Sequence, residues 1–374
     1  RYILVNNDNT SWCECARCKA EAESGEAWAG GISTRYWKFI NALTGEARKE
    51  LPDLPAVGYG YQNYQRTPLG VKPDPRLPVM LSYNRKCYRH TLQDPDCPVN
   101  SVYYSYFKEW SKLCKTVYTW EEMSCIGREY QPSELIYVEH LKEYFRLGID
   151  GTTPSIPPLY ARYGPRYKGT TTPDCWMGMW QTLYLAALVQ WDVKTDAVKA
   201  LEEANALYYG PAWENGMREY RQLLMETART SPGCFGWGLQ APLGRNLTRP
   251  GVEARLTAAL ARAEKAAEGN ALSSAAVRRD KEYFNTIWVK QNRLYVENYR
   301  EMRAYPKKGV IRIDGKLDEP DWNNADIVGN FMVTAEKKAK SQSAIRMVYE
   351  LDYLYVAIEA MESSMNRIKS IHTE

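Results

Sequence analysis

Ala56-Val57-Gly58-Tyr59-Gly60-Tyr61 is an uncharged run set between Pro55 and the polar pair Gln62-Asn63. A short apolar run between turn residues reads as a β-strand, and its glycines read as places where another element packs closely. The same texture returns on either side. Upstream, Tyr2-Ile3-Leu4-Val5 ends in Asn6-Asn7-Asp8-Asn9. Downstream, Val79-Met80-Leu81-Ser82-Tyr83 follows a proline-rich loop, Thr116-Val117-Tyr118-Thr119-Trp120 runs into Glu121-Glu122, and Ile149-Asp150-Gly151 starts a fifth strand. Between them the spacing predicts helices over 32–50, with Tyr36, Phe39, Ile40 and Leu43 on one face, over 102–113, and from Pro132 to Phe145, where Gly148 closes the turn.

Strands joined by helices or long crossovers predict a parallel β/α architecture. No glycine-rich phosphate fingerprint follows any strand, which argues against an open, doubly wound nucleotide-binding sheet. Polar residues gather instead where strands end: Asn7 and Asp8, Tyr61 and Gln62, Asn84 and Arg85, Glu121 and Glu122, Thr152 and Thr153. That is the pattern of a barrel whose site lies at the carboxyl ends of its strands. The expected fold is α/β. Residues 1–172 would be the C-terminal part of a (β/α)8 TIM-type barrel, strands four to eight. Residues 173–305 would be an α-helical region, with helices over 196–209, 213–227, 252–268 and 281–303. Residues 306–374 would open a truncated β-sandwich, with strands over 310–315, 343–349 and 353–358 and a turn at Leu351-Asp352.

With 374 residues the chain has room for two or three domains. Its 49 Lys and Arg stand against 45 Asp and Glu, a net charge of +4, so there is no basic footprint for nucleic acid. No apolar stretch reaches the roughly 20 residues of a membrane span. Tyr (28) and Trp (12) far outnumber Phe (6). Such rings pair an apolar face with a polar handle and suit half-wet, sugar-binding surfaces, the alternative being that Tyr replaces Phe in packing. Nine cysteines permit disulfides but leave one thiol over, which leans towards an oxidising compartment. The chain begins on a strand-like run without an initiator Met and ends on another, and so reads as truncated at both ends.

Three segments resemble a bacterial family first catalogued as domain of unknown function 4838 and now grouped with glycoside hydrolase family 163. They are Val5-Asn6-Asn7-Asp8-Asn9 with Cys13-x-Cys15-x-x-Cys18, then Tyr83-Asn84-Arg85-Lys86-Cys87 through His90 and Cys97 to Trp110, then Leu183 to Asp192 with Tyr208-Tyr209-Gly210-Pro211-Ala212. The tail Ile313-Asp314-Gly315-Lys316-Leu317-Asp318-Glu319, with Trp322, Ala325 and Tyr353-Leu354-Tyr355-Val356-Ala357, resembles the start of a family 9-like carbohydrate-binding module. The resemblance implies a secreted protein, extracellular, periplasmic or on the cell surface. It implies endo-β-N-acetylglucosaminidase-like cleavage of complex glycans, with an oligosaccharide or glycoprotein as partner. The alternative is a non-catalytic protein that uses the barrel as a glycan-binding platform. A family alone does not fix the chemistry.

Glycoside cleavage needs a carboxylic acid for the leaving oxygen and a second group facing the sugar cation. In substrate-assisted enzymes the substrate's own acetamide is that group, oriented by a carboxylate. Asp8 is the first candidate, because it directly follows a strand, with Asn7 beside it as a substrate-binding residue. Its alternative is a loop residue that caps its own backbone. Glu121 and Glu122 follow another strand. Adjacent residues face opposite ways, so at most one serves, and an acidic helix start explains the pair equally. Tyr61, Tyr118 and Trp120 are the expected sugar platforms, with Arg85 and His90 as further substrate contacts. Cys13, Cys15 and Cys18 read as a thiol cluster or disulfide rather than a metal site. Structural zinc takes four ligands, and a fourth would have to come from Cys87, Cys97 or His90. No metal and no cofactor is expected, and a half-barrel by itself is expected to be inactive.

Overall fold

The computed structural model describes residues 2–5, 10–21, 23, 25, 31–121, 132–154, 179–236, 246–298, 302–334 and 337–361. The chain forms two compact units, Arg1–Val289 and Lys290–Glu374.

In the first unit, strands β1 (Tyr2–Ile3), β2 (Ala56–Tyr61), β3 (Val79–Ser82), β4 (Val117–Glu121) and β5 (Gly151–Pro154) lie in one sheet in chain order. Every neighbouring pair is parallel. The order never reverses, so the sheet has no switch point of the doubly wound kind. Helices α1 (Ala16–Lys19), α2 (Ser33–Glu50), α3 (Asn100–Leu113) and α4 (Glu134–Arg146) fall between the strands. The α/β class and the three central strands are where the sequence puts them. The fifth strand starts later than expected. Asp150 turns its carboxylate back to accept the Val117 N–H at 2.8 Å, and the ladder begins only at Gly151.

The buried stripe of α2 differs from the expected one. Tyr36, Trp37, Ile40 and Thr44 are buried, while Phe39 is 62% and Leu43 42% exposed. Two local causes rotate the stripe. A Cβ on Gly58 would lie 2.2 Å from the Trp37 ring, so glycine makes room for tryptophan there. Thr44 donates its hydroxyl to the Ile40 carbonyl at 2.8 Å, which removes the cost of burying it. Helix α4 buries Tyr137, Val138, Leu141 and Tyr144 at helical spacing and ends at Gly148, whose φ of +74° favours glycine.

Helices α5 (Trp180–Trp191), α6 (Ala197–Tyr209), α7 (Arg218–Thr230), α8 (Val252–Ala267) and α9 (Ala271–Tyr283) complete this unit. Helix α5 packs on α4. A second core gathers Tyr209, Trp213, Met217, Leu224, Leu256 and Trp288. Gly216, at φ +138°, lets the turn before α7 rest on α8, because a Cβ there would meet the Ala259 carbonyl oxygen at 2.2 Å. Arg221 of α7 is buried against Glu134 of α4 and lies 3.5 Å from Asp280 of α9. Asp280 also accepts the Tyr209 hydroxyl at 2.9 Å. The long helix predicted over 281–303 is instead α9, a wide helical turn over Phe284–Val289, and α10 (Lys290–Asn298). Asn270 caps α9, accepting the Ser273 N–H at 3.0 Å. Among the described residues no helix is long and apolar enough to cross a membrane.

In the second unit, β9 (Ser343–Glu350) and β10 (Tyr353–Ala360) form an antiparallel hairpin through Leu351-Asp352, as the sequence predicts. Strand β6 (Tyr305–Pro306) joins β9 in parallel, and β7 (Met332–Thr334) pairs with β8 (Lys337–Lys338). A short helix, α11 (Pro320–Asn323), carries Trp322 into a small core with Ala325, Val348 and Ala357. Residues 310–313 are not in a ladder, but the turn at Asp314-Gly315 is present, with Gly315 at φ +80°.

Candidate functional site

The parallel register decides which side chains share a face. Gly58 pairs with Val79, Tyr59 with Met80 and Tyr61 with Ser82. Met80 pairs with Tyr118 and Ser82 with Trp120. Side chains alternate along each strand. Tyr59, Tyr61, Met80, Ser82, Tyr118 and Trp120 therefore lie on one face, with Tyr61, Tyr118 and Trp120 half-buried. Gly58, Gly60, Leu81, Thr119 and Glu121 lie on the other, the face that meets the helices.

Glu121 is consequently turned from the aromatic residues beside it. It is 1% exposed, and both its oxygens are taken up. Oε2 accepts Lys86 Nζ at 2.5 Å and the Tyr88 hydroxyl at 3.2 Å, and Oε1 accepts Thr119 Oγ1 at 2.9 Å and the Tyr144 hydroxyl at 2.8 Å. Lys86, equally buried, also contacts the Tyr144 hydroxyl and lies 5.0 Å from the centres of the Tyr88 and Tyr144 rings. Burial, with the Glu121 charge adding, pushes the Tyr144 phenol well above its ordinary range, so it remains a donor. This is a buried ion pair beneath α4. Asn7, Asp8 and Glu122 lie outside the described residues.

The carboxyl end of β2 opens into a cavity of about 240 Å³ lined by Gln62, Asn63, Arg66, Thr67, Tyr106 and Glu109. Gln62 sits at φ +46°. Gln65 holds the rim, its carbonyl accepting the Tyr83 hydroxyl and Trp110 Nε1, each at 2.9 Å. Thr67 donates to Glu109 at 2.9 Å, and the Arg66 guanidinium lies 5.5 Å from the centre of the Tyr106 ring. The buried Asn63 Oδ1 has no hydrogen-bond partner among the described residues. None of these cavity residues except Gln62 stands out in the sequence. The polar strand-end pattern at Tyr61-Gln62 is the signal that points to them.

Arg85 is exposed just beyond β3. His90, expected as a substrate contact, lies among thiols: its Nδ1 is 3.3 Å from Cys87 Sγ and 3.9 Å from Cys234 Sγ. Cys97 Sγ lies 3.6 Å from Cys234 Sγ. His140 is fully buried. Burial, and then the Lys86 charge, push it down to about 3. Its neutral Nε2–H donates to the His90 carbonyl at 2.9 Å. Cys13, Cys15 and Cys18 form a separate, outward group, and among the described residues no fourth His, Cys, Asp or Glu joins them.

The sequence profile of the family described as Domain of unknown function (DUF4838) matches residues 2–222, and the chain belongs to that family. The match spans the parallel sheet, the strand-end cavity and helices α5 and α6. No curated protein and no solved structure matches the chain.

Proposed function

We propose that this chain supplies strands four to eight of a (β/α)8 barrel that acts on complex glycans. On this reading the complete barrel hydrolyses N-acetylhexosaminyl linkages, in the manner of an endo-β-N-acetylglucosaminidase, outside the cytoplasm. The observation that carries it is the register, which sets Tyr61, Tyr118 and Trp120 on one face of the parallel sheet, with Tyr61 and Trp120 at the carboxyl ends of their strands. Flat rings with polar edges suit the apolar faces and hydroxyl rims of sugars. The neighbouring cavity adds Arg66 and Glu109, a donor and an acceptor for sugar hydroxyls and amides. The unbroken sequential strand order fits a barrel better than a doubly wound sheet.

Glu121 has a structural role in this proposal, because its carboxylate is committed to Lys86 and two tyrosines. The reacting carboxylates are then Asp8 and Glu122, with Asp8 orienting the substrate acetamide. The second unit, with its turn at Asp314-Gly315 and buried Trp322, is proposed as a sugar-binding β-module of the family 9 type.

Titration with chitooligosaccharides, followed by tryptophan fluorescence, tests the binding half of the proposal. Trp120→Ala and Tyr61→Ala should each weaken binding at least tenfold, and Arg146→Ala, on the outer side of α4, should not. Unchanged binding in both aromatic variants sinks the platform reading. For the chemistry, Asp8→Asn and Glu122→Gln should abolish N-glycan release by the complete barrel while leaving binding intact. If binding persists and neither variant lowers turnover, the carboxylate assignment fails and the non-catalytic platform gains.

A further inference from the structure

The loop after β3 carries Cys87, His90 and Cys97, and the turn after α7 carries Cys234. Their three sulfurs and one ring nitrogen all lie within 4.8 Å of one another. We propose that Cys87, His90, Cys97 and Cys234 form a structural zinc site that fastens the β3 loop to the end of α7.

The spacing is that of a tetrahedron around an ion. Zinc bonds of about 2.3 Å to sulfur and 2.0–2.1 Å to nitrogen give edges of roughly 3.8 Å between sulfurs and 3.5 Å between sulfur and nitrogen. Three of the six edges are 3.6 Å for Cys97–Cys234, 3.3 Å for Cys87–His90 and 3.9 Å for Cys234–His90, and all six are within 4.8 Å. A disulfide between Cys97 and Cys234 needs about 2.05 Å and uses only two of the four groups. Three thiolates and an imidazole in a tetrahedral frame select zinc over harder, oxygen-seeking ions.

The surroundings are arranged as an outer shell of a metal site is. The Arg89 N–H points at Cys87 Sγ and the Asn100 N–H at Cys97 Sγ, each at 3.3 Å, so both sulfurs receive donors suited to thiolates. The Asn100 side chain locks the loop: Oδ1 accepts the Cys87 N–H at 2.9 Å, and Nδ2 donates to the carbonyls of Cys87, His90 and Thr91. His140 donates to the His90 carbonyl from the other side. Such outer contacts hold ligands in place before the ion arrives. The far ligand is positioned as firmly. Arg89 donates to the carbonyls of Ser231, Pro232 and Gly233, and the Tyr88 N–H to Phe235 at 2.7 Å, bracketing Cys234. Cys87 and Cys97 are buried, and four protein ligands leave no open position, so the role is structural rather than catalytic.

Binding is acid–base chemistry alone. Zinc replaces the thiol protons of the three cysteines, which pass to solvent, and takes the lone pair of neutral His90 Nδ1. No electron changes hands.

The test is metal analysis of the 374-residue chain purified without chelator, together with two cysteine variants. The triple variant Cys13→Ser/Cys15→Ser/Cys18→Ser removes the outward thiols and should retain one zinc per chain. Cys97→Ser should lose that zinc. Cobalt substitution of the triple variant should give the intense bands of tetrahedral thiolate-bound cobalt. X-ray absorption on its zinc form should report three sulfurs and one nitrogen, which decides the matter even where Cys97→Ser does not fold. A triple variant that is metal-free and takes up no cobalt overturns the proposal. So does a Cys97–Cys234 disulfide in the peptide map, or a metal shell of different composition.

Discussion

On one face of the parallel sheet, Gly58, Gly60, Thr119 and Glu121 meet the helices. On the other lie Tyr59, Tyr61, Tyr118 and Trp120. The helix face is closed: both Glu121 oxygens are paired, and volumes are fixed, as where Trp37 occupies the space beside Gly58. The aromatic face keeps three rings half-buried. The contrast separates residues committed to holding the fold from residues proposed to serve a ligand, and it does so between neighbours, Trp120 and Glu121.

The largest effect that tests this contrast is at the ion pair. Glu121→Gln leaves the Lys86 charge buried without its partner and should cost about 3–5 kcal/mol, read from the shift in denaturant midpoint. Lys86→Met/Glu121→Leu, which removes both charges, should recover most of that loss. If Glu121→Gln is neutral, the helix face is not closed as described. Next, Gly58→Ala should cost about 1–3 kcal/mol by overpacking against Trp37, and Trp37→Leu in the same chain should relieve part of it. On the aromatic face, Trp120→Ala should cost about 2 kcal/mol, roughly half the ~3–5 kcal/mol of a fully buried large aromatic, while weakening binding at the proposed glycan site. A melting curve and a binding titration on one sample separate the two effects.

The smallest effect lies outside both faces, at Asp74. Its carboxyl is held below the ordinary range first by the Arg76 side chain, with the Arg76 N–H and Arg48 adding. A depressed carboxyl contributes stability that is complete above its unfolded value, near pH 4, and is lost as pH falls through the folded value. Asp74→Asn should therefore lower stability slightly at neutral pH, by under ~1 kcal/mol, and flatten the acid limb of a pH–stability curve. An unchanged acid limb would mean that other carboxylates set it.

The strands were legible because each is a short apolar run flanked by proline, glycine or a polar pair, as at Pro55 and Gln62-Asn63. The faces were less so. Alternation says that Trp120 and Glu121 oppose each other, but not which one meets the helices; that depends on Lys86, Tyr88 and Tyr144, far away in sequence. The stripe of α2 is not legible in the sequence, because Thr44 hides its hydroxyl in the helix backbone and because Trp37 relies on a glycine on another strand. Helix α9 is hard to read because alanine and serine give it little apolar periodicity, although Asn270 three residues before Ser273 is a cap signal. The thiol cluster shows the limit most plainly. Cys87, His90 and Cys97 stand together in sequence, but Cys234 reaches them from 137 residues beyond Cys97.

That separation also constrains the order in which the protein can be made. Arg89 finds its carbonyl partners 142–144 residues downstream. Contacts so distant carry a large loop-closure cost and form late. During synthesis, the strands through β5 leave the ribosome well before Ser231 exists. Until then Arg89 and two buried thiols must wait without their shelter, so a nascent chain stalled before residue 236 should present a reactive cysteine pair that the finished protein conceals.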